Sequence, residues 1–266
     1  MIPALRLQLQ TCAVLCALAL PLPASSATPA RAKAQAPTPA AKATTPPPAP
    51  AEPTLAPPAP LKLRYAILGH VGFFPYQTDG FLVWAHDGKS YDARMEVDLS
   101  VFGRRVQTSQ GRIAAAGLQP LRFSDRTHSN RTVDFDYEQA RVRFSEGTPP
   151  EPLAANAQDH LSVLLQVGVL IAAAPQRYPA GSEIVLPAMG IHGPETWRFT
   201  VVGNENLHLP GGEIATLKLN RPPARGDDPG ADIWLAPSLG WLPARIRLSK
   251  PGGDYIDQRW RGSEAP

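Results

Sequence analysis

The chain has 266 residues, 26 of them basic and 23 acidic, but its net charge of +3 comes from the first 60 positions alone. From Leu61 onward 22 basic residues balance 22 acidic ones, which excludes the positive footprint that a nucleic-acid-binding domain needs. Both cysteines, Cys12 and Cys16, lie in the first 27 residues, so the remainder has no disulfide framework, thiolate metal site or cysteine nucleophile.

Residues 1–27 read as an export signal. Arg6 supplies the early charge, Cys12 to Leu22 is an apolar run of 11 residues, and cleavage after Ala24 or Ala27 suits the small residues that follow. Pro21 and Pro23 stop the run short of the ~20 apolar residues that cross a bilayer. A lipid anchor is not expected, because Cys16 follows Leu15 and Cys12 precedes most of the apolar run. Residues 28–60 contain eleven prolines and eleven alanines in 33 positions, a composition that stays extended and solvated and cannot build a core. At about 3.1 Å per residue in polyproline geometry this disordered linker reaches on the order of 100 Å. It is either a tail left after signal removal or a tether across the periplasm. Residues 61–266 form one β-rich domain, long enough to bury a sizeable core.

That domain opens with alternation at Leu61, Leu63, Tyr65 and Ile67. Phe81 to His86 is a second strand, closed by the turn pair Asp87-Gly88. The clearest period of two follows: Tyr91, Ala93, Met95, Val97, Leu99 and Val101 on one face, Asp92, Arg94, Glu96, Asp98 and Ser100 on the other. Arg104 to Gly117 returns, and shorter strands follow around Leu121–Phe123, Val133–Tyr137 and Arg141–Phe144. Residues 145–156, with Pro149, Pro150 and Pro152, form a loop into the one long helical segment, 156–174. There Asn156 is placed to cap, Asp159 lies in the first turn where the helix dipole favours it, and Pro175 ends the run. From Leu161 onward only Ser162 and Gln166 are polar, so this helix must be covered on nearly every side. Strands are then expected at 183–189, 197–201, 214–219, 233–236, 241–248 and 255–260, with Pro210-Gly211-Gly212 and Pro251-Gly252-Gly253 as turns. The expected fold is mainly β (α+β): a curved antiparallel sheet, or an open or closed barrel, of about eleven strands around one buried helix.

No catalytic signature emerges. Asp159 and His160 could act as an acid/base pair, but a first-turn Asp bonded to backbone N–H groups is the commoner use. His70, His86, His128, His192 and His208 are dispersed without metal-ligand spacing. Asp227, Asp228 and Asp232 lack the spacing of a calcium loop and read as a solvated turn; Arg225-Gly226-Asp227 is too short to count as an adhesion motif. Gly72, Gly103 and Gly111 form no phosphate cradle. Trp84, Trp197, Trp234, Trp241 and Trp260 all fall in expected strands, as core or as the lining of an apolar or sugar site. Arg122, Arg245 and Arg247 are candidates for an anionic head group, with pairing to Asp134 or Asp136 as the default.

Several short motifs carry a family resemblance. Gly117-Leu118-Gln119-Pro120 with Arg122-Phe123, Asp134-Phe135-Asp136, Ala157-Gln158-Asp159 with Leu161-Ser162, and Ile233-Trp234-Leu235-Ala236-Pro237 with Leu242-Pro243-Ala244-Arg245-Ile246 resemble an uncharacterised family of exported bacterial proteins, domain of unknown function 3108. The resemblance covers most of 61–261 and implies export, with no activity and no site residue. The inferred fold also resembles the periplasmic lipoprotein carriers, an analogy of fold alone; those carriers have several lid helices where this chain has one.

The expectation is a non-enzymatic periplasmic protein that binds or carries an apolar envelope component such as a lipid. It needs no cofactor or metal, no nucleic acid and no stable transmembrane span. A scaffold that uses the linker to reach an envelope protein partner is the alternative, and a hydrolase assembled from distant strands the third.

Overall fold

The computed structural model describes Leu55 and residues 57–98, 103–145, 147–224, 226 and 228–266. The expected export signal, most of the expected linker, and Leu99, Ser100, Val101, Arg225 and Asp227 lie outside the described residues.

The first arm of the fold is a meander: β1 (Leu61–Val71), β2 (Phe74–His86), β3 (Ser90–Asp98), β4 (Arg104–Ala114), β5 (Gly117–Arg126), β6 (Asn130–Asp136), β7 (Arg141–Phe144) and the two-residue β8 (Glu151–Pro152). A two-residue β9 (Gln158–Asp159) then leads into the helix α1 (Ser162–Ala173). The second arm runs β10 (Glu183–Gly190), β11 (Gly193–Leu209), β12 (Gly212–Arg221), β13 (Gly230–Ala236), β14 (Leu242–Ser249) and β15 (Tyr255–Glu264). The fifteen strands make one sheet in the order β8-β7-β6-β5-β4-β3-β2-β1-β15-β14-β13-β12-β11-β10-β9. The first and last long strands therefore pair at its centre, Tyr65 opposite Trp260 and Ile67 opposite Gln258. Every pairing is antiparallel except β9 with β10, where Ala188 faces Gln158.

The sheet bends back on itself without closing. Gln158 in β9 donates from Nε2 to the carbonyl of Leu118 in β5 (2.8 Å), and Ser109 in β4 donates to Asp159 (2.5 Å), although neither β4 nor β5 joins β9 in a ladder. Alternation decides which face turns inward. Leu63, Tyr65 and Ile67 of β1 and Tyr91, Ala93, Met95 and Val97 of β3 are buried, with Arg64 and Asp92 exposed between them.

The helix fills the inside of this curve. Leu161 and Leu165 pack with side chains of β1–β7, while Val163, Val167 and Ile171 pack with Ile184, Phe199, Leu219, Ile233 and Leu235 of β10–β13. The all-round apolar surface read from the sequence thus serves two clusters on opposite sides of one helix. Gly168 sits where α1 crosses the turn before β14: a Cβ there would lie 2.5 Å from the carbonyl oxygen of Trp241. Gln166, one of two polar residues on the helix, accepts the Leu118 N–H (2.8 Å) and donates to the Ala116 carbonyl (3.2 Å), stitching the helix to the β4–β5 turn.

Three expectations need correction. The helix spans 162–173, and Asn156 does not cap it: Asn156 adopts φ 58°, and the segment after it pairs as β9. The cap is Asp159, whose Oδ1 accepts the N–H groups of Leu161 (2.8 Å) and Ser162 (2.7 Å). Trp241 is not a strand residue; it takes φ 66° in the turn before β14.

Candidate functional site

The acid/base pair suggested by adjacent residues is split by the chain. Asp159 points inward and is fully buried, its Oδ2 held by the Ser109 hydroxyl, which in turn meets the Tyr91 hydroxyl at 3.0 Å. Burial pushes its carboxyl above the usual range, and the Ser109 and backbone hydrogen bonds oppose that rise. His160 points the other way, with Nε2 3.1 Å from Glu195 Oε1. Burial works to raise Glu195; the hydrogen bond and charge of His160, the Trp197 indole N–H at 2.7 Å and the Arg221 guanidinium outweigh it and leave Glu195 at about 2. Arg221 lies over the Trp197 ring at 4.3 Å.

The remaining sequence candidates are likewise engaged. Among the described residues no three His, Cys, Asp or Glu side chains converge as a metal site. Asp232 accepts from Asn220 (2.7 Å), and Asp227 lies outside the described residues. Arg122 pairs with Asp134 at 3.0 Å as expected. Arg245 and Arg247 do not reach Asp134 or Asp136. They converge with Arg259 on the fully buried Asp257, at 2.7, 3.6 and 2.9 Å. Trp84 is fully buried, and Trp234 is covered from both sides by Lys218 (4.8 Å) and Arg245 (4.4 Å) while its indole donates to Glu205.

Two hollows among the described residues, of about 300 and 420 Å³, open on the surface rather than between helix and sheet. The larger is lined by Lys62, Arg64, Glu96, Arg104 and Glu264 around Phe81, and these charges pair with one another. Neither resembles an apolar ligand chamber.

What sequence reasoning missed is the end of the β1–β2 hairpin. Cross-strand pairs place Ile67 opposite Thr78, Gly69 opposite Tyr76 and Val71 opposite Phe74. Since Ile67 faces the core, Val71 and Phe74 continue its inward stripe. The core stops before they do: Val71 is 37% exposed, Phe74 76% and Phe73 94%. Gly72, at φ 60°, is the first of two turn residues, where this tight turn calls for glycine, and it leaves Phe73 standing at the apex. The tip is braced from its base. The Gly72 N–H donates to Asp254 Oδ1 (2.8 Å), His70 stacks on Tyr255 with planes 9° apart, and Arg247 lies over Tyr255 at 4.3 Å. The signal was present as Phe-Phe between Gly72 and Pro75, where a turn is ordinarily polar.

These features define a class: a one-sheet, unclosed barrel whose interior is filled by its own helix and whose uncovered aromatic surface lies on a braced hairpin. The chain belongs to the protein family of unknown function DUF3108, whose model matches residues 71–256. No curated protein matches. A β-barrel-like protein of domain of unknown function DUF1849 from Brucella abortus is 10% identical, aligns over 79% of this chain and 99% of its own, and gives a TM-score of 0.54; the likeness is one of fold. A chain of the Pseudomonas aeruginosa MucA/MucB complex is 11% identical and aligns over 78% of this chain and 53% of its own, with a TM-score of 0.26. No helix among the described residues is long and apolar enough to cross a membrane.

Proposed function

We propose that the chain is a non-enzymatic protein of the bacterial cell envelope that meets an apolar envelope component with its outer surface. The observation that carries this reading is the β1–β2 tip, where Phe73 and Phe74 stand 94% and 76% exposed. An apolar cluster of this kind, fixed in place, marks a contact site. A ligand carried between helix and sheet is not part of the proposal, because α1 and the strand side chains occupy that space. The export signal over residues 1–27 supports the compartment. The use of Asp159 as a helix cap, and of His160 as a partner of Glu195, supports a role without catalysis.

A photo-crosslinking amino acid in place of Phe73, activated in living cells, tests the reading. Adducts with lipid or with an apolar envelope protein are expected, well above those from the same probe at the exposed polar position Asp92. Equal yields at the two positions would overturn it.

One observation favours the tethered-scaffold alternative. The Trp84 indole N–H (2.9 Å) and His86 Nε2 (2.8 Å) both donate to the Pro58 carbonyl. The Gly88 N–H donates to His86 Nδ1 (3.1 Å), so the ring proton sits on Nε2. This fixes where the Pro/Ala-rich segment leaves the domain, at the opposite end of β1 from the tip and about 33 Å away at ~3.3 Å per residue. Deleting 28–54 spares that anchorage and should leave Tm unchanged. If the tip acts alone, the crosslink at position 73 survives the deletion; if reach across the envelope is required, it is lost.

A further inference from the structure

We infer that the component met by the β1–β2 tip is the lipid bilayer itself, with Phe73 and Phe74 inserting as a shallow wedge; this rests on the surface-contact reading above. The size of the surface favours lipid over a protein partner. Two exposed phenylalanines and part of Val71 amount to roughly 300–400 Å², whereas a stable protein interface takes about 800 Å² from each side. The patch is also convex, and a fluid acyl phase accommodates a convex wedge without a shaped counterpart.

The backbone suits an apolar phase as well. The Gly72 N–H is already bonded to Asp254, Phe74 lies in the β1–β2 ladder opposite Val71, and Pro75 has no N–H to desolvate. From the apex at Phe73 back to His70 is about 10 Å at ~3.3 Å per residue, comparable to the roughly 5–10 Å that interfacial elements penetrate. At that depth the tip is flanked on its β14–β15 side by His70, Tyr255 and Arg247, amphipathic and cationic side chains suited to head groups. Asp254, the acid in the same turn, is occupied by Gly72.

Flotation of the chain from Thr28 onward, free of the apolar run at Cys12–Leu22, with phosphatidylethanolamine/phosphatidylglycerol vesicles (3:1) and with phosphatidylcholine vesicles tests the inference. Binding to both, persisting in 0.5 M NaCl, is expected, because insertion of rings is not screened by salt. The double variant Phe73→Ser/Phe74→Ser should keep its Tm, both positions being exposed, and lose about 100-fold in partition coefficient. A Phe73→Trp variant should shift its emission to the blue on vesicle addition and be quenched by lipids brominated on the acyl chain. Equal partition of wild type and double variant, or emission unmoved by brominated lipid, overturns the wedge. Should position 73 crosslink to an envelope protein in cells while vesicles are ignored, the bilayer inference falls and the surface-contact reading stands. Failure of both assays removes both.

Discussion

Asp159→Ala is expected to destabilise the domain by about 3–5 kcal/mol, read as a fall in the urea midpoint at constant m-value. Asp159 is fully buried and accepts three hydrogen bonds: the N–H groups of Leu161 and Ser162 and the hydroxyl of Ser109. Alanine removes a helix cap, worth about 1 kcal/mol. It also strands donors in a dry interior, at about 1–3 kcal/mol for each left unsatisfied. Asp159 ties β4, β9 and the first turn of α1 together, so the loss should be cooperative and visible from both arms of the sheet. Asp159→Asn keeps an acceptor for the two N–H groups and should cost less than half as much. Equal losses for Asn and Ala would mean that the Ser109 contact, rather than the cap, carries the effect.

Asp257→Ala is expected to cost about 3 kcal/mol, because it leaves Arg245, Arg247 and Arg259 clustered around a missing carboxylate. Its pH dependence is a second readout. Burial alone would raise Asp257; hydrogen bonds and charge from Arg245 and Arg259 outweigh burial and hold its carboxyl below the usual range. A depressed folded-state value means stabilisation that is complete above the unfolded value of about 3.9 and disappears as pH falls through the folded one. Glu195, at about 2, acts in the same direction. Its side chain is 40% exposed, so solvent screening limits its share to about 1 kcal/mol. Stability of the wild type should therefore fall steeply from pH 4 to pH 2, and that of Asp257→Asn should fall less. Parallel pH profiles would show that the three arginines contribute nothing through this carboxylate.

Local pattern was a good guide where a strand has one wet and one dry face. The alternation from Tyr91 to Val97 is the clearest case, and all four of its apolar members are buried. It failed where polar residues sit in a ladder for its own sake. The 17-residue β11 runs on through the exposed Asn204, Glu205 and Asn206 to the buried Leu207 and Leu209, with the exposed His208 between those two, so alternation marked only its middle. At the entry to α1, an Asn and an Asp each suited a cap by type, and tertiary pairing decided between them: Ala188 and Met189 of β10 capture Gln158 and Asp159 as a strand. The partners of Arg245 and Arg247 were within reach of the sequence. The turn at Pro251-Gly252-Gly253 sets a register that puts Arg247 directly opposite Asp257. The Phe73-Phe74 tip was missed for a different reason: both residues fall between the first two expected strands, and it is the pairing of Val71 with Phe74 that makes them the end of a hairpin.

The pairing of β1 with β15 has a consequence for how the molecule is made. Lys62 and Glu264 meet at 2.7 Å although nearly the whole domain lies between them in sequence. Hairpins within each arm can assemble from sequence neighbours alone. The seam joining the arms must wait for the ten residues of β15. Until then Leu61–Val71 offers an open ladder to any passing strand, a known route to misassociation. Loss of those last residues, by a premature stop or by proteolysis, would bare two edges in mid-sheet and convert a self-contained molecule into one prone to aggregate.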